Sequence, residues 1–152
     1  MSEISTELLF RITFTVAPPL HLGATPLGDR RNVTVTGGQF DGPKLRGTVL
    51  PGGSDWILAR PDGVLQLDVR ATLQTHDGAL INMTYGGYRH GPAAVIERLN
   101  RGESVDPAEY YFRTAPFFET SAEKYGWLNK IVAIGTGHRL PAGPIYHVYQ
   151  VL

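Results

Sequence analysis

Cysteine is absent from all 152 residues. That excludes disulfides, thiolate metal sites and thiol nucleophiles. Charge is also scarce: charged residues make up 18%, below the roughly 25% of typical soluble domains. Fourteen Lys and Arg balance fourteen Asp and Glu, and the longest like-charge run is Arg30-Arg31. A broadly basic surface for nucleic acid is therefore not expected, and there is no charged tail. No stretch approaches the ~18 continuous apolar residues of a membrane span. The opening MSEISTELLFRITF sets Glu3, Glu7 and Arg11 where a signal peptide needs an apolar core. The expectation is a cytoplasmic protein with no membrane or nucleic-acid partner. Several motifs are also missing: HExxH, GxSxG, the P-loop and GxGxxG. Neither a metal nor a cofactor is expected.

What the chain does contain is punctuation. Eighteen glycines and eleven prolines are spread throughout, and no linker or repeat divides the chain, so residues 1–152 read as one domain. Between them lie short runs rich in Val, Ile, Thr, Tyr and Phe, which suit a pleated surface. The run 6–16 puts Leu8, Phe10, Ile12, Phe14 and Val16 on one face. Further strands are predicted over 32–42, 44–50, 55–61, 109–120, 130–139 and 144–152. The runs 44–50 and 55–61 form one bent strand if Pro51-Gly52-Gly53 is a corner. A hairpin is predicted over 64–90, with Asp77-Gly78 as a two-residue turn. That register pairs Thr72 with Met83, Arg70 with Tyr85 and Asp68 with Gly87. A turn at Ala142-Gly143 pairs His138 with His147, a weak candidate metal pair. Pro92 starts a helix over 91–102 and Gly102 ends it. Ser121 caps a helical turn over 121–129. Eight to ten antiparallel strands with one helix favour an all-β fold, a closed up-and-down barrel that leaves no exposed edge; a two-sheet sandwich is the alternative.

The segment 65–74 alternates strictly. Gln66, Asp68, Arg70, Thr72 and Gln74 form one face; Leu65, Leu67, Val69, Ala71 and Leu73 form the other. The polar face either meets solvent or lines a wet barrel interior. In the second case Arg70 with Tyr85 anchors an anionic or carbonyl oxygen, and Arg113 is a second cation. In the stretch PGGSDW, Asp55 is either a turn cap or a partly desolvated acid or base. Asp55, Arg70 and Tyr85 are the candidate catalytic residues. Trp56, Asp68, Arg113, Phe118 and Trp127 are the candidate ligand-binding residues.

The segments GGQFDGPKLRGTVLPGGSDW, LDVRATLQTHDGALINMTYGGY and YYFRTAPFFETSAEKYGWLNKIVAIG resemble domain-of-unknown-function family 3237, uncharacterised protein family 0311. The resemblance runs over about residues 6 to 152. It implies a calycin-like antiparallel barrel and places Asp55, Trp56, Asp68, Arg70, Phe118, Trp127 and Asn129 in the family pattern. It implies no agreed reaction. The leading expectation is a barrel that binds a small organic ligand and performs cofactor-free isomerisation, cyclisation or addition of water. The rivals are a non-catalytic carrier and an interaction protein acting through an oligomer face, and a homo-oligomer is expected.

Overall fold

A computed structural model describes residues 2–152. Ten strands follow in chain order: β1 (Thr6–Val16), β2 (Leu20–Thr25), β3 (Gly28–Asp41), β4 (Arg46–Val49), β5 (Ser54–Ala59), β6 (Leu65–Thr75), β7 (Leu80–His90), β8 (Tyr111–Glu119), β9 (Val132–Leu140) and β10 (Gly143–Val151). Helix α1 (Ala93–Asn100) and the 3-10 segments Pro107–Glu109 and Glu123–Lys130 complete the chain. No helix among the described residues is long and apolar enough to cross a membrane.

The strands close into an antiparallel barrel. Pairing runs from β1 through β10, β9, β8, β7 and β6 to β4 and β5, then to β3, and β3 returns to β1. β4 and β5 lie end to end, each pairing with β3 and β6. They are one stave bent at Pro51–Gly53, as the glycine-rich corner implies. That corner is held from both sides. The Val35 N–H donates to the Gly53 carbonyl at 2.8 Å, and the Leu50 N–H donates to the Thr72 carbonyl at 2.9 Å. β2 extends β3 outside the closed circuit and was not legible in the sequence. Its LHLGAT carries no buried residue, so no core-facing alternation marks it.

The inward faces make one core. Phe10 and Ile12 of β1, Leu73 of β6, Ile81 and Met83 of β7, Leu128 and Val148 are essentially fully buried. Burial of each such side chain is worth about 1.5–3 kcal/mol. Phe10 touches Phe40 and Phe118 with ring centroids 5.4 and 5.8 Å apart, and this aromatic group fills one end of the barrel. In β6 the apolar residues point inward and Asp68 and Arg70 are exposed, so its polar face meets solvent. In β1 a bulge between Leu8 and Phe10 turns Leu9 inward and leaves Leu8 at the surface, which breaks the predicted alternation at that point.

Four local expectations need correction. The β6–β7 register is one residue away from the expected one: Val69 faces Tyr85, Arg70 faces Thr84 and Asp68 faces Gly86. The turn holds three residues, not two. The Thr75 N–H donates to the Ala79 carbonyl, the Gly78 N–H donates to the Thr75 carbonyl, and Thr75 Oγ1 accepts the Ala79 N–H, each at 2.9 Å. Gly78 takes φ 90° to close it. His138 faces Ile145 and His147 faces Thr136, so the two histidines are not cross-strand partners. Ser121 is not the cap of the 3-10 segment, which follows Ala122; the Thr120 hydroxyl accepts the Ala122 N–H instead, at 3.2 Å.

Glycine at position 38 permits a close strand approach. Its φ is 146°, and a Cβ there would collide with the Thr13 carbonyl of β1. Gly38→Ala is expected to destabilise the barrel by about 3 kcal/mol. Gly126→Ala, where a Cβ meets nothing within 4 Å, is expected to stay within about 0.5 kcal/mol. Urea unfolding of both variants beside the parent measures the difference.

Candidate functional site

The barrel end opposite the Phe10 cluster is not filled. It holds a cavity of about 300 Å³ between Phe14, Val33, Leu67, Val69 and Phe112. Into this apolar chamber project Asp55, Tyr85, Tyr146 and three arginines, Arg31, Arg89 and Arg139. Pro18, Pro19, Pro141 and Pro144 line its rim.

Strand alternation delivers each group. Arg89 follows Ile81, Met83 and Tyr85 on the inward face of β7. Arg139 ends the inward series Ala133, Gly135 and Gly137 of β9. Arg31 precedes Val33 and Val35 on β3. Asp55 comes from β5, directly after the glycine corner. Its position is fixed by an unusual bond: the Asp68 N–H of β6 donates to Asp55 Oδ1 at 3.1 Å.

The electrostatics follow from burial. Desolvation raises the Asp55 carboxyl from 3.8 to about 7, and the exposed Asp68 carboxylate adds to the rise. The Asp68 amide, Arg89 and Arg31 oppose it. Burial, with Arg139 and Arg31 nearby, brings Arg89 down to about 10. Arg139 is lowered, chiefly by burial. Burial raises both Tyr85 and Tyr146, whose ring centroids lie 5.2 Å apart. The six ion pairs among the described residues include none of Asp55, Arg31, Arg89 and Arg139. The Nε atoms of Arg31 and Arg89 are buried without a hydrogen-bond partner. Such donors need an acceptor, since a buried unpaired donor is costly. The chamber therefore offers cationic donors to an anionic oxygen, beside a carboxyl that exchanges its proton near neutrality.

The structure divides the sequence-derived candidates. Asp55 and Tyr85 line the cavity. Arg70 and Asp68 lie on the outer wall, and so does Trp56, which is 54% exposed. Arg113 stands outside over the Tyr111 ring, 5.4 Å from its centroid. Phe118 packs in the closed end against Phe10. Trp127 packs on the core beneath Lys44, whose Nζ is 5.2 Å from its ring. Arg31, Arg89, Arg139 and Tyr146 were missed. The signal for Arg89 and Arg139 was present: in each strand the arginine ends an inward-facing alternation.

A titrating Asp55 makes stability depend on pH. A carboxyl raised on folding binds its proton more tightly in the folded state, so its contribution is complete below pH 3.8 and is lost as pH rises through about 7. Wild type is expected to lose on the order of 3 kcal/mol over that window relative to Asp55→Asn. Urea midpoints of both proteins from pH 4 to 8 measure this; parallel curves refute it.

Comparison with known proteins places this geometry. A UPF0311 protein of Clostridium acetobutylicum is 37% identical over 152 residues, covering 99% of this chain and 96% of that protein. The crystal structure of a conserved protein of unknown function from Rhodopseudomonas palustris matches with a TM-score of 0.96 and 34% identity, over 100% of both chains. The hydroalkoxylation enzyme phnH of Penicillium herquei is 32% identical over 130 residues, 86% of this chain and 72% of that enzyme. The family model described as "Protein of unknown function (DUF3237)" matches residues 4–151, and the chain belongs to that family.

Proposed function

We propose that this protein is a cofactor-free acid/base enzyme acting on a small organic molecule whose reacting oxygen becomes anionic inside the barrel. The observation that carries the reading is the chamber itself, where one carboxyl and three arginines face each other with no ion pair between them. A ligand oxygen supplies the acceptor that the Nε donors of Arg31 and Arg89 lack. The apolar walls exclude water and strengthen the contact. The resemblance to a hydroalkoxylation enzyme supports one reaction class, the addition of a hydroxyl across a carbon–carbon double bond.

Asp55 has the role of proton carrier. In the addition direction its carboxylate first takes the proton of the substrate hydroxyl. The oxygen anion so formed bonds to one alkene carbon, and the carboxyl gives the proton to the other. One proton reaches Asp55 and one leaves it, so no oxidant or reductant is consumed. Arg89 and Arg31 hold the oxygen while negative charge builds on it. A carboxyl that titrates near pH 7 serves both directions of transfer.

The test uses aromatic hydroxy-alkenes, of which 2-allylphenol is the simplest. Ring closure to the dihydrobenzofuran, followed by chromatography, is expected with wild type. Asp55→Asn is expected to lower the rate by about 10²–10⁴-fold. Arg89→Met is expected to weaken binding about tenfold, since it removes a charge-assisted donor. Cyclisation by Asp55→Asn at the wild-type rate would sink the assignment.

A further inference from the structure

The wall of the barrel is interrupted beside Asp55. β5 and β6 pair Ser54 with Arg70 and Asp55 with Val69, then resume at Leu58 with Gln66 and Ala59 with Leu65. An unbroken ladder would also pair Trp56 with Asp68 and Ile57 with Leu67. At Trp56 the ladder would have the Asp68 N–H donate to the Trp56 carbonyl. That amide instead donates to Asp55 Oδ1 at 3.1 Å. The carbonyl it leaves behind is not orphaned: Arg30 Nη1 donates to the Trp56 carbonyl at 3.1 Å. Arg30 belongs to β3, where it faces Leu58, and it does not line the cavity.

We infer that Arg30 is a positioning residue, which holds Asp55 in the chamber by occupying the Trp56 carbonyl and so leaving the Asp68 amide to the carboxylate. The inference rests on the reading of Asp55 as the proton carrier. One amide has two competing acceptors, a strand carbonyl that sheet pairing favours and a side-chain oxygen. Arg30 decides the competition by satisfying the carbonyl with a charged donor, whose bond is stronger than that of a neutral amide. Without Arg30 the carbonyl reclaims the amide and the rung closes. Asp55 then loses the bond that fixes Oδ1, and its other torsions become free. Arg31, the next residue, reaches the same site from the inside, so the Arg30-Arg31 pair straddles the wall.

Two-dimensional NMR of the intact protein, recorded over a pH series, tests this without a substrate. In wild type the Asp68 amide proton shift is expected to follow the Asp55 carboxyl titration, with its midpoint at about 7. In Arg30→Met the amide is expected to stop following it, and the Asp55 midpoint to rise by about one pH unit, because a bond to the charged form is lost. Arg30→Gln, too short to reach, is expected to behave alike. Arg30→Lys retains a donor and is expected to restore the wild-type pattern. An Asp68 amide that still tracks an unchanged Asp55 midpoint in both Arg30→Met and Arg30→Gln overturns the inference. An Asp55 midpoint near 3.8 in wild type would instead overturn the proton-carrier role, and the amide in the variants would still decide Arg30.

Discussion

Closure of the barrel depends on how near β1 can come to its two neighbours. β1 is flanked by β3 on one side and β10 on the other. At Gly38 and at Gly143 the neighbouring backbone lies against β1 carbonyls, those of Thr13 and Phe14, with no room for a side chain. Both glycines also take φ near 145°, a conformation that L side chains rarely adopt. The inward rings of β1, Phe10 and Phe14, then meet rings from β3, β7, β8 and β10. The same closeness that joins the sheet to itself sets the width of the interior, and hence the space left at its open end.

That interior is divided by chemistry along its axis. Aromatic rings fill the end around Phe10, Phe40 and Phe118. At the other end Phe14, Tyr85, Tyr146 and Phe112 pack edge to face or tilted against one another and form the floor beneath the charged groups. Three guanidinium groups gathered without carboxylate partners repel one another and lose hydration. Such an arrangement disfavours the empty folded state, and the packed end offsets it. Outside the chamber the charges are conventional. Asp77 is bound by Lys124 at 2.8 Å and by the Tyr125 hydroxyl at 2.9 Å, and these contacts hold its carboxyl well below the usual range and dock the β6–β7 turn on the 3-10 segment.

The sequence made the strands legible and the register less so. Alternation and turn residues located nine of the ten strands, the bent stave and helix α1. Asp77-Gly78 marked the right turn, but the Thr75 hydroxyl and main chain enlarge the loop by one residue. The one-residue shift gave Arg70 the partner Thr84 and not Tyr85, while the alternation of 65–74 had already offered the solvent-facing polar side that β6 shows. Asp55 stood out as a carboxylate beside a glycine corner, open to a turn cap or a desolvated group, and the fold carries it to the cavity wall. The arginines were less visible, since a cation ending a strand reads as a solvent-exposed end until the opposite strands show that three such ends converge. Bond exchange at Trp56 has no sequence signature, because it depends on which acceptor an amide meets in space.

The prolines at the rim bear on how a ligand would come and go. Pro18, Pro19, Pro141 and Pro144 each have a fixed φ, so the segments that frame the opening have few alternative conformations. A flexible cover would make release wait for a rare opening. A stiff collar holds the opening at one width, so on the proposed reading residence time is set by the strength of the contacts inside. On that reading binding and release become a matter of chemistry at the arginines, and a proton transferred at Asp55 would change the very charge on which that residence depends.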